Sequence, residues 1–248
     1  MSIRTASAIG LAVVVGAGLG IPSSGQAGNH QQLTRAQLLQ VGLHVSDLPA
    51  SLRTGEKGRT SVIRAGRTAD GPDICLKKSV DIARGPDPRR HVVSVIPVDG
   101  DAQQLSITAT RSDIYQYRSQ RRAAAAFDKI RQKARKSCRY NEKVTMNTGG
   151  IKLTADAKGV VGSTSRLDGV RGMTVLFRAR AEAALPPLFD ASALADRYSA
   201  YHLAGGTIVR VSYAQAEAVE GKASLNNKRK KYVRQTAVTI ARRVLQLS

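Results

Sequence analysis

An α+β fold, in which helices cover an antiparallel sheet, is predicted by three features of the sequence. Residues 91–112 and 195–213 carry the alternating apolar side chains and the turn residues of β-hairpins. Residues 119–138 and 224–247 carry apolar side chains at helical spacing. Two long helices that interrupt a run of hairpins are typical of helices packed on an antiparallel sheet.

The first 27 residues have the pattern of a signal peptide. Arg4 precedes an uncharged apolar run, Ala8–Ile21, and Gly25-Gln26-Ala27 supplies small residues at a cleavage site. The alternative, a retained membrane anchor, is disfavoured because a span needs about 20 apolar residues. We therefore predict removal of residues 1–27, and a single exported domain over 28–248 with no transmembrane span.

A short helix is predicted after Thr34. The Thr34 side chain can cap the amide of Gln37, and the Gln37 side chain can reach back to Thr34. Residues 53–74 are polar and rich in glycine, which favours a loop with one short strand at Ser61–Arg64.

The first hairpin is predicted over residues 91–112. Its first strand is apolar on both faces, and Asp99-Gly100-Asp101 supplies a turn. Residues 105–110 then alternate apolar and hydroxyl side chains, the pattern of a half-buried strand.

The helix predicted at Ser119–Cys138 has one apolar stripe and a basic remainder. The stripe contains Ala123, Phe127, Ile130, Ala134 and Cys138. The basic residues are Arg121, Arg122, Lys129, Arg131, Lys133, Arg135 and Lys136. Cys138 therefore points towards the core.

A disulfide between Cys75 and Cys138 is predicted because two thiols in an exported chain usually pair. Closing so long a loop would contribute on the order of 4 kcal/mol to stability. A metal site is disfavoured because two cysteines without neighbouring ligands cannot complete a tetrahedron.

Five strand-like segments follow this helix. They are Glu142–Asn147, Ile151–Ala155, Met173–Ala181, Ala195–Ala204 and Thr207–Tyr213. Gly205-Gly206 joins the last two in a two-residue hairpin loop, which pairs Ala204 with Thr207 and His202 with Val209.

The closing helix, about 224–247, is amphipathic and basic. Its predicted polyanion-binding residues are Lys228, Arg229, Lys230, Lys231, Arg234, Arg242 and Arg243. The formal net charge of +21 concentrates anions near the surface, so an anionic envelope component is a candidate partner. The alternative is an ordinary solvated basic face. Nucleic acid is disfavoured as a specific partner because the chain has no tryptophan to stack on bases.

A search for catalytic motifs finds no GxSxG, SxxK, HExxH or phosphate-binding loop, so no enzyme activity, cofactor or metal is predicted. His202 is the strongest single candidate for a site residue, because it lies in a predicted strand among apolar neighbours. A core histidine is the more common outcome for such a position.

The order of these parts resembles the extracellular sensor domain of the mycobacterial PknH-type serine/threonine kinases. The matching residues are Leu33-Thr34, Leu38-Leu39, Ser46-Asp47-Leu48-Pro49, Ala123–Cys138, the Tyr198–Tyr213 hairpin and the closing helix to Leu245. The resemblance implies an antiparallel sheet with flanking helices around a ligand-binding cleft, without catalysis. The expected function is therefore that of a secreted, non-enzymatic, sensor-like module of the actinobacterial cell envelope, whose ligand is an unknown small molecule or anionic component. The alternative is a binder of an envelope polyanion, either a teichoic-type polymer or an anionic lipid, that acts through its basic helices.

Overall fold

The computed structural model describes residues 32–50, 59–63, 71–76, 82–99, 107–148, 151–185, 189–219 and 227–248. The predicted signal peptide, residues 1–27, lies outside the described residues, as does the turn predicted at 100–101. No helix in the described ranges has both the length and the apolar composition that a bilayer crossing requires.

The main structure is an eight-stranded antiparallel sheet, which confirms the α+β prediction. Its strand order is β1-β4-β5-β10-β9-β8-β7-β6. These strands are β1 (Arg59–Ile63), β4 (Arg90–Asp99), β5 (Ile107–Gln116), β6 (Tyr140–Thr148), β7 (Ile151–Leu167), β8 (Val170–Leu185), β9 (Phe189–Ala204) and β10 (Thr207–Val219).

Two further strands were not predicted from the sequence. The first overlaps the end of a predicted loop, and the second lies where no regular element was expected. β2 (Asp73–Leu76) and β3 (Ile82–Arg84) pair with each other in a separate two-stranded sheet. The loop prediction for 53–74 was therefore wrong at its end. The strand predicted at Ser61–Arg64 is present and runs slightly earlier, as β1.

The β9–β10 hairpin has the predicted register. Ala204 pairs with Thr207 and His202 pairs with Val209. Gly205 adopts a φ of 53°, a left-handed conformation that favours glycine in a two-residue loop. This hairpin forms the centre of the sheet and places its two faces against different helices.

The three helices are α1 (Arg35–Gln40), α2 (Gln120–Ser137) and α3 (Asn227–Leu247). The predicted reciprocal caps of Thr34 and Gln37 both form at the start of α1. α2 begins where the Ser119 side chain accepts from the amide of Arg122, and Cys138 follows its last residue.

A hydrophobic core lies on each face of the sheet. On one face α3 packs against β9 and β10. The residues that it buries there include Val233, Ala237, Ile240, Ala241 and Val244, which pack with Val209 and Val211. On the opposite face α2 and the β2–β3 pair cover Ile208 and Tyr201. Successive side chains of β10 therefore point alternately into the two cores.

The predicted disulfide is confirmed. Cys75 in β2 is bonded to Cys138 at the end of α2, with their Cα atoms 5.7 Å apart and both residues buried. The bond joins α2 to the β2–β3 pair, and α2 in turn packs on the sheet. The cysteine that ends the apolar stripe of α2 thus has its sulfur in the core, as its position predicted.

Candidate functional site

A groove of about 780 Å³ lies between α3 and β7. α3 contributes Lys231, Arg234, Gln235, Val238, Thr239 and Arg242 to its lining. β7 contributes the hydroxyl residues Ser163, Thr164 and Ser165. Three of the seven basic residues predicted to bind a polyanion therefore meet in one concave site.

Helical spacing explains why these α3 residues share the groove. Lys231, Arg234, Val238 and Arg242 follow one another by three or four residues and so lie on one side of the helix. The stripe through Val233 to Val244 is buried against the sheet, which leaves the basic stripe exposed beside β7.

The hydroxyl wall comes from an irregularity in β7. A regular strand directs successive side chains to opposite faces. The pairing of β7 with β8 shifts register between Ser163 and Arg166, so three consecutive residues border the groove. The predicted strand ended at Ala155, and the polar continuation of β7 was missed because it has no apolar alternation.

The electrostatics of the groove favour an anion. Lys231, Arg234 and Arg242 are exposed, and no carboxylate is among the described lining residues. No ion pair of these three cations occurs within the described part of the chain. The hydroxyls and the Gln235 amide add neutral hydrogen-bond donors. The groove can therefore bind several anionic groups in a row.

The remaining predicted basic residues lie outside this groove. Arg243 donates to both carboxylate oxygens of Asp47, at 2.9 and 2.5 Å, and so anchors α3 to the turn after α1. Arg229 donates to Gln215 and lies 5.3 Å from the Tyr213 ring centre. Lys228 and Lys230 belong to the first turn of α3 and do not line the groove.

A buried charge cluster lies on the opposite face of the sheet. Asp113 is fully buried and accepts hydrogen bonds from His91 Nε2 at 2.9 Å and from Arg111 Nη2 at 2.6 Å. Arg210, which is also buried, lies 3.7 Å from the same carboxylate. Burial by itself raises the pKa of Asp113, but the Arg210 charge and the hydrogen bonds from His91 and Arg111 lower it to about 2.

This cluster was not predicted from the sequence. Asp113, Arg111 and Arg210 come from two strands, and their pairing depends on the β5–β10 register, in which Arg210 lies opposite Asp113. The arrangement neutralises the charge of a buried arginine.

His202 is a core residue of the α3 face. It is fully buried, and neither ring nitrogen has a hydrogen-bond partner among the described residues. A Cβ atom at Gly172 would lie 2.5 Å from His202 Cε1, so glycine at that position makes room for the ring. Burial lowers the pKa of His202 from 6.5 to about 4, which keeps the imidazole neutral at pH 7.

This neutral histidine predicts a loss of stability in acid. The unfolded chain binds a proton below pH 6.5 whereas the folded chain resists it down to about pH 4. The free energy of unfolding should therefore fall between these values, by up to about 3 kcal/mol from this residue. In His202→Leu that part of the pH dependence should disappear. Urea unfolding of both proteins at pH 7.5, 5.5 and 4.5 measures the two pH dependences. If the free energy of unfolding falls with pH as steeply in the variant as in wild type, the assignment is refuted.

Taken together, the fold and the groove define an α+β domain tied by one disulfide and carrying a cationic cleft. The chain matches no protein-family model and no curated protein sequence. Among solved structures it is similar to the extracellular domain of PknH from Mycobacterium tuberculosis, with a TM-score of 0.52 and 14% identity. The match covers 88% of this chain and 99% of that domain. The expected resemblance is thus confirmed at the level of the fold.

Proposed function

We propose that this protein is an exported, non-enzymatic binding module of the sensor-like type, and that its α3 groove binds a linear anionic polymer of the cell envelope. The observation that carries the proposal is the convergence of Lys231, Arg234 and Arg242 with three hydroxyl residues in one groove. The fold shared with an extracellular domain supports a location outside the cytoplasm.

The shape of the groove favours a polymer chain over a flat lipid surface. From Lys231 to Arg242 the helix rises by about 16 Å, at 1.5 Å a residue. A chain of regularly spaced anionic groups can follow this length and contact all three cations. A membrane surface is flat on this scale and would contact the rim of a concave site more than its lining.

The chemistry of the groove favours binding over turnover. Its described lining contains no histidine, carboxylate or cysteine, and the hydroxyl residues that it does contain need a general base to act as nucleophiles. Within the described residues there is also no group of three or more histidine, cysteine or acidic residues that could hold a metal.

Charge reversal of the groove tests the proposal. The triple variant Lys231→Glu, Arg234→Glu, Arg242→Glu should bind purified cell-wall polymer about 10- to 100-fold more weakly at 0.1 M salt. Each exposed charge contact contributes about 0.5–1 kcal/mol, and the loss of all three corresponds to this change in affinity. Co-sedimentation with cell walls measures retention, which should fall as salt is raised.

A matched control has the same change of charge elsewhere. Arg121, Arg122 and Lys129 are exposed on α2 and lie outside the groove, so their replacement by Glu should leave retention within about threefold of wild type. Equal loss in both triple variants would show that only net charge matters, against a specific groove. Retention by anionic vesicles but not by cell walls would replace the polymer with a lipid surface. Turnover of a wall component would overturn the non-enzymatic assignment.

A further inference from the structure

A second cavity, of about 210 Å³, lies between the end of α2 and the β7–β8 hairpin. Arg131, Arg135 and Arg139 line it, spaced four residues apart along the chain. Its other lining residues are Val161, Gly162, Ser163, Gly172 and Met173. It is separate from the α3 groove, and only Ser163 borders both.

The cavity has a cationic wall and an apolar floor. Met173 is buried and Val161 is half-buried, and both belong to the core on the α2 side of the sheet. At Gly162 a Cβ atom would point towards Thr174, 2.8 Å from its hydroxyl oxygen. That direction is away from the cavity, so Gly162 contributes its backbone to the lining.

Among the described residues, a carboxylate lies near one of the three arginines and not near the other two. Arg131 lies 3.8 Å from Asp128, and no carboxylate contact is recorded there for Arg135 or Arg139. Like charges four residues apart on a helix repel each other. The dipole of α2 favours cations near its C-terminus, where Arg135 and Arg139 lie, but it does not reach Arg131.

The disulfide holds this cavity in shape. Cys138 precedes Arg139 and is bonded to Cys75. The Cys138 carbonyl also lies close against Gly159 of β7, where a Cβ atom would come within 2.3 Å of its oxygen. The backbone that carries Arg139 is thus fixed before any ligand binds, which lowers the entropic cost of binding.

We infer that this cavity binds a phosphate monoester. Two charges on the phosphate would offset the convergent guanidinium groups, which bind phosphate oxygens in bidentate fashion. The organic part of the ester would lie on Val161 and Met173. A ligand of this class fits a cavity of about 210 Å³, unlike the linear polymer proposed for the α3 groove.

Isothermal titration with phenyl phosphate tests the inference. Wild type should bind one equivalent, more tightly than inorganic phosphate, which cannot use the apolar floor. Arg135→Gln with Arg139→Gln should weaken binding at least tenfold. The control, Lys129→Gln with Lys136→Gln, removes the same charge from exposed positions of α2 outside the cavity and should stay within twofold of wild type.

Further measurements check that the variants are folded and distinguish a lipid headgroup from a free ester as the ligand. Circular dichroism should show the same melting temperature, within about 3 °C, for both double variants. Recruitment to vesicles containing phosphatidic acid, displaced by phenyl phosphate, would identify a lipid headgroup as the source; titration without recruitment would identify a free ester. No saturable binding of phenyl phosphate, or equal loss in both double variants, would overturn the site without touching the proposal for α3.

Discussion

Replacement of Asp113 by Asn is expected to lower the free energy of unfolding by about 3–5 kcal/mol. The substitution keeps the shape of the side chain but removes the only carboxylate recorded beside Arg210 in the described structure. Arg210 is 3% exposed and cannot turn to water, so the variant contains a buried charge without a carboxylate partner, and the Tyr201 ring, 5.9 Å from the guanidinium carbon, compensates only part of the loss. Urea unfolding at pH 7 measures the loss.

Two comparisons identify buried charge as the cause. In Asp196→Asn the partner Arg178 has a third of its side chain exposed and can be solvated, so the loss should be only about 1–2 kcal/mol. In the double variant Asp113→Asn, Arg210→Met the buried charge is gone and most of the stability should return. A double variant no more stable than Asp113→Asn alone would contradict this explanation.

The pH dependence of the same residue gives a second readout. The pKa of Asp113 is lowered from 3.8 to about 2 in the folded state. Its contribution is therefore complete above pH 3.8 and is lost as the pH falls towards 2, at a total of about 2 kcal/mol. This window lies below that of His202, so the two residues can be separated in one pH series.

Removal of the disulfide should lower the free energy of unfolding by about 4 kcal/mol. Cys75 and Cys138 are 63 residues apart, and the bond removes the corresponding loop entropy from the unfolded chain. Both sulfurs are buried, so Cys75→Ala with Cys138→Ala also loses packing between α2 and β2. Urea unfolding of the double variant against the oxidised wild type measures the effect.

Reduction of the wild type distinguishes the stability contributed by the covalent bond from the stability contributed by packing of the sulfur atoms. Reduced wild type keeps both sulfur atoms, and its unfolding midpoint should lie at only a slightly higher urea concentration than that of the double alanine variant. If reduction costs less than about 1 kcal/mol, the bond does not hold α2 on the β2–β3 pair as argued. A large loss in the alanine variant alone would instead assign the effect to packing.

Much of the fold could be predicted from local patterns. The apolar stripe of α2, the caps of Thr34 and Gln37 and the register set by Gly205-Gly206 all depend on residues close together in the chain. β2 and β3 could not be predicted in this way, because a four-residue and a three-residue strand carry too few positions to show a period. The full length of β7 was missed because its later half is polar.

The candidate site was predicted only in part. Amphipathicity identified the basic stripe of α3 but could not distinguish Arg242, which lines the groove, from Arg243, which binds Asp47. Both residues lie outside the apolar stripe of α3, so periodicity does not separate them, and the element that covers each of them comes from elsewhere in the chain.

By itself the sequence determined the fold class, the amphipathic helices, the central hairpin and the cysteine pair, because each depends on short-range periodicity, turn chemistry or simple counting. Only the tertiary structure decided which charges are buried, which are neutralised and which meet in a cavity. Asp113 and Arg210, or Arg139 and Met173, come together through strand register and helix packing between distant segments. Electrostatic free energy depends on distance and burial, and neither quantity can be read from residue type or order.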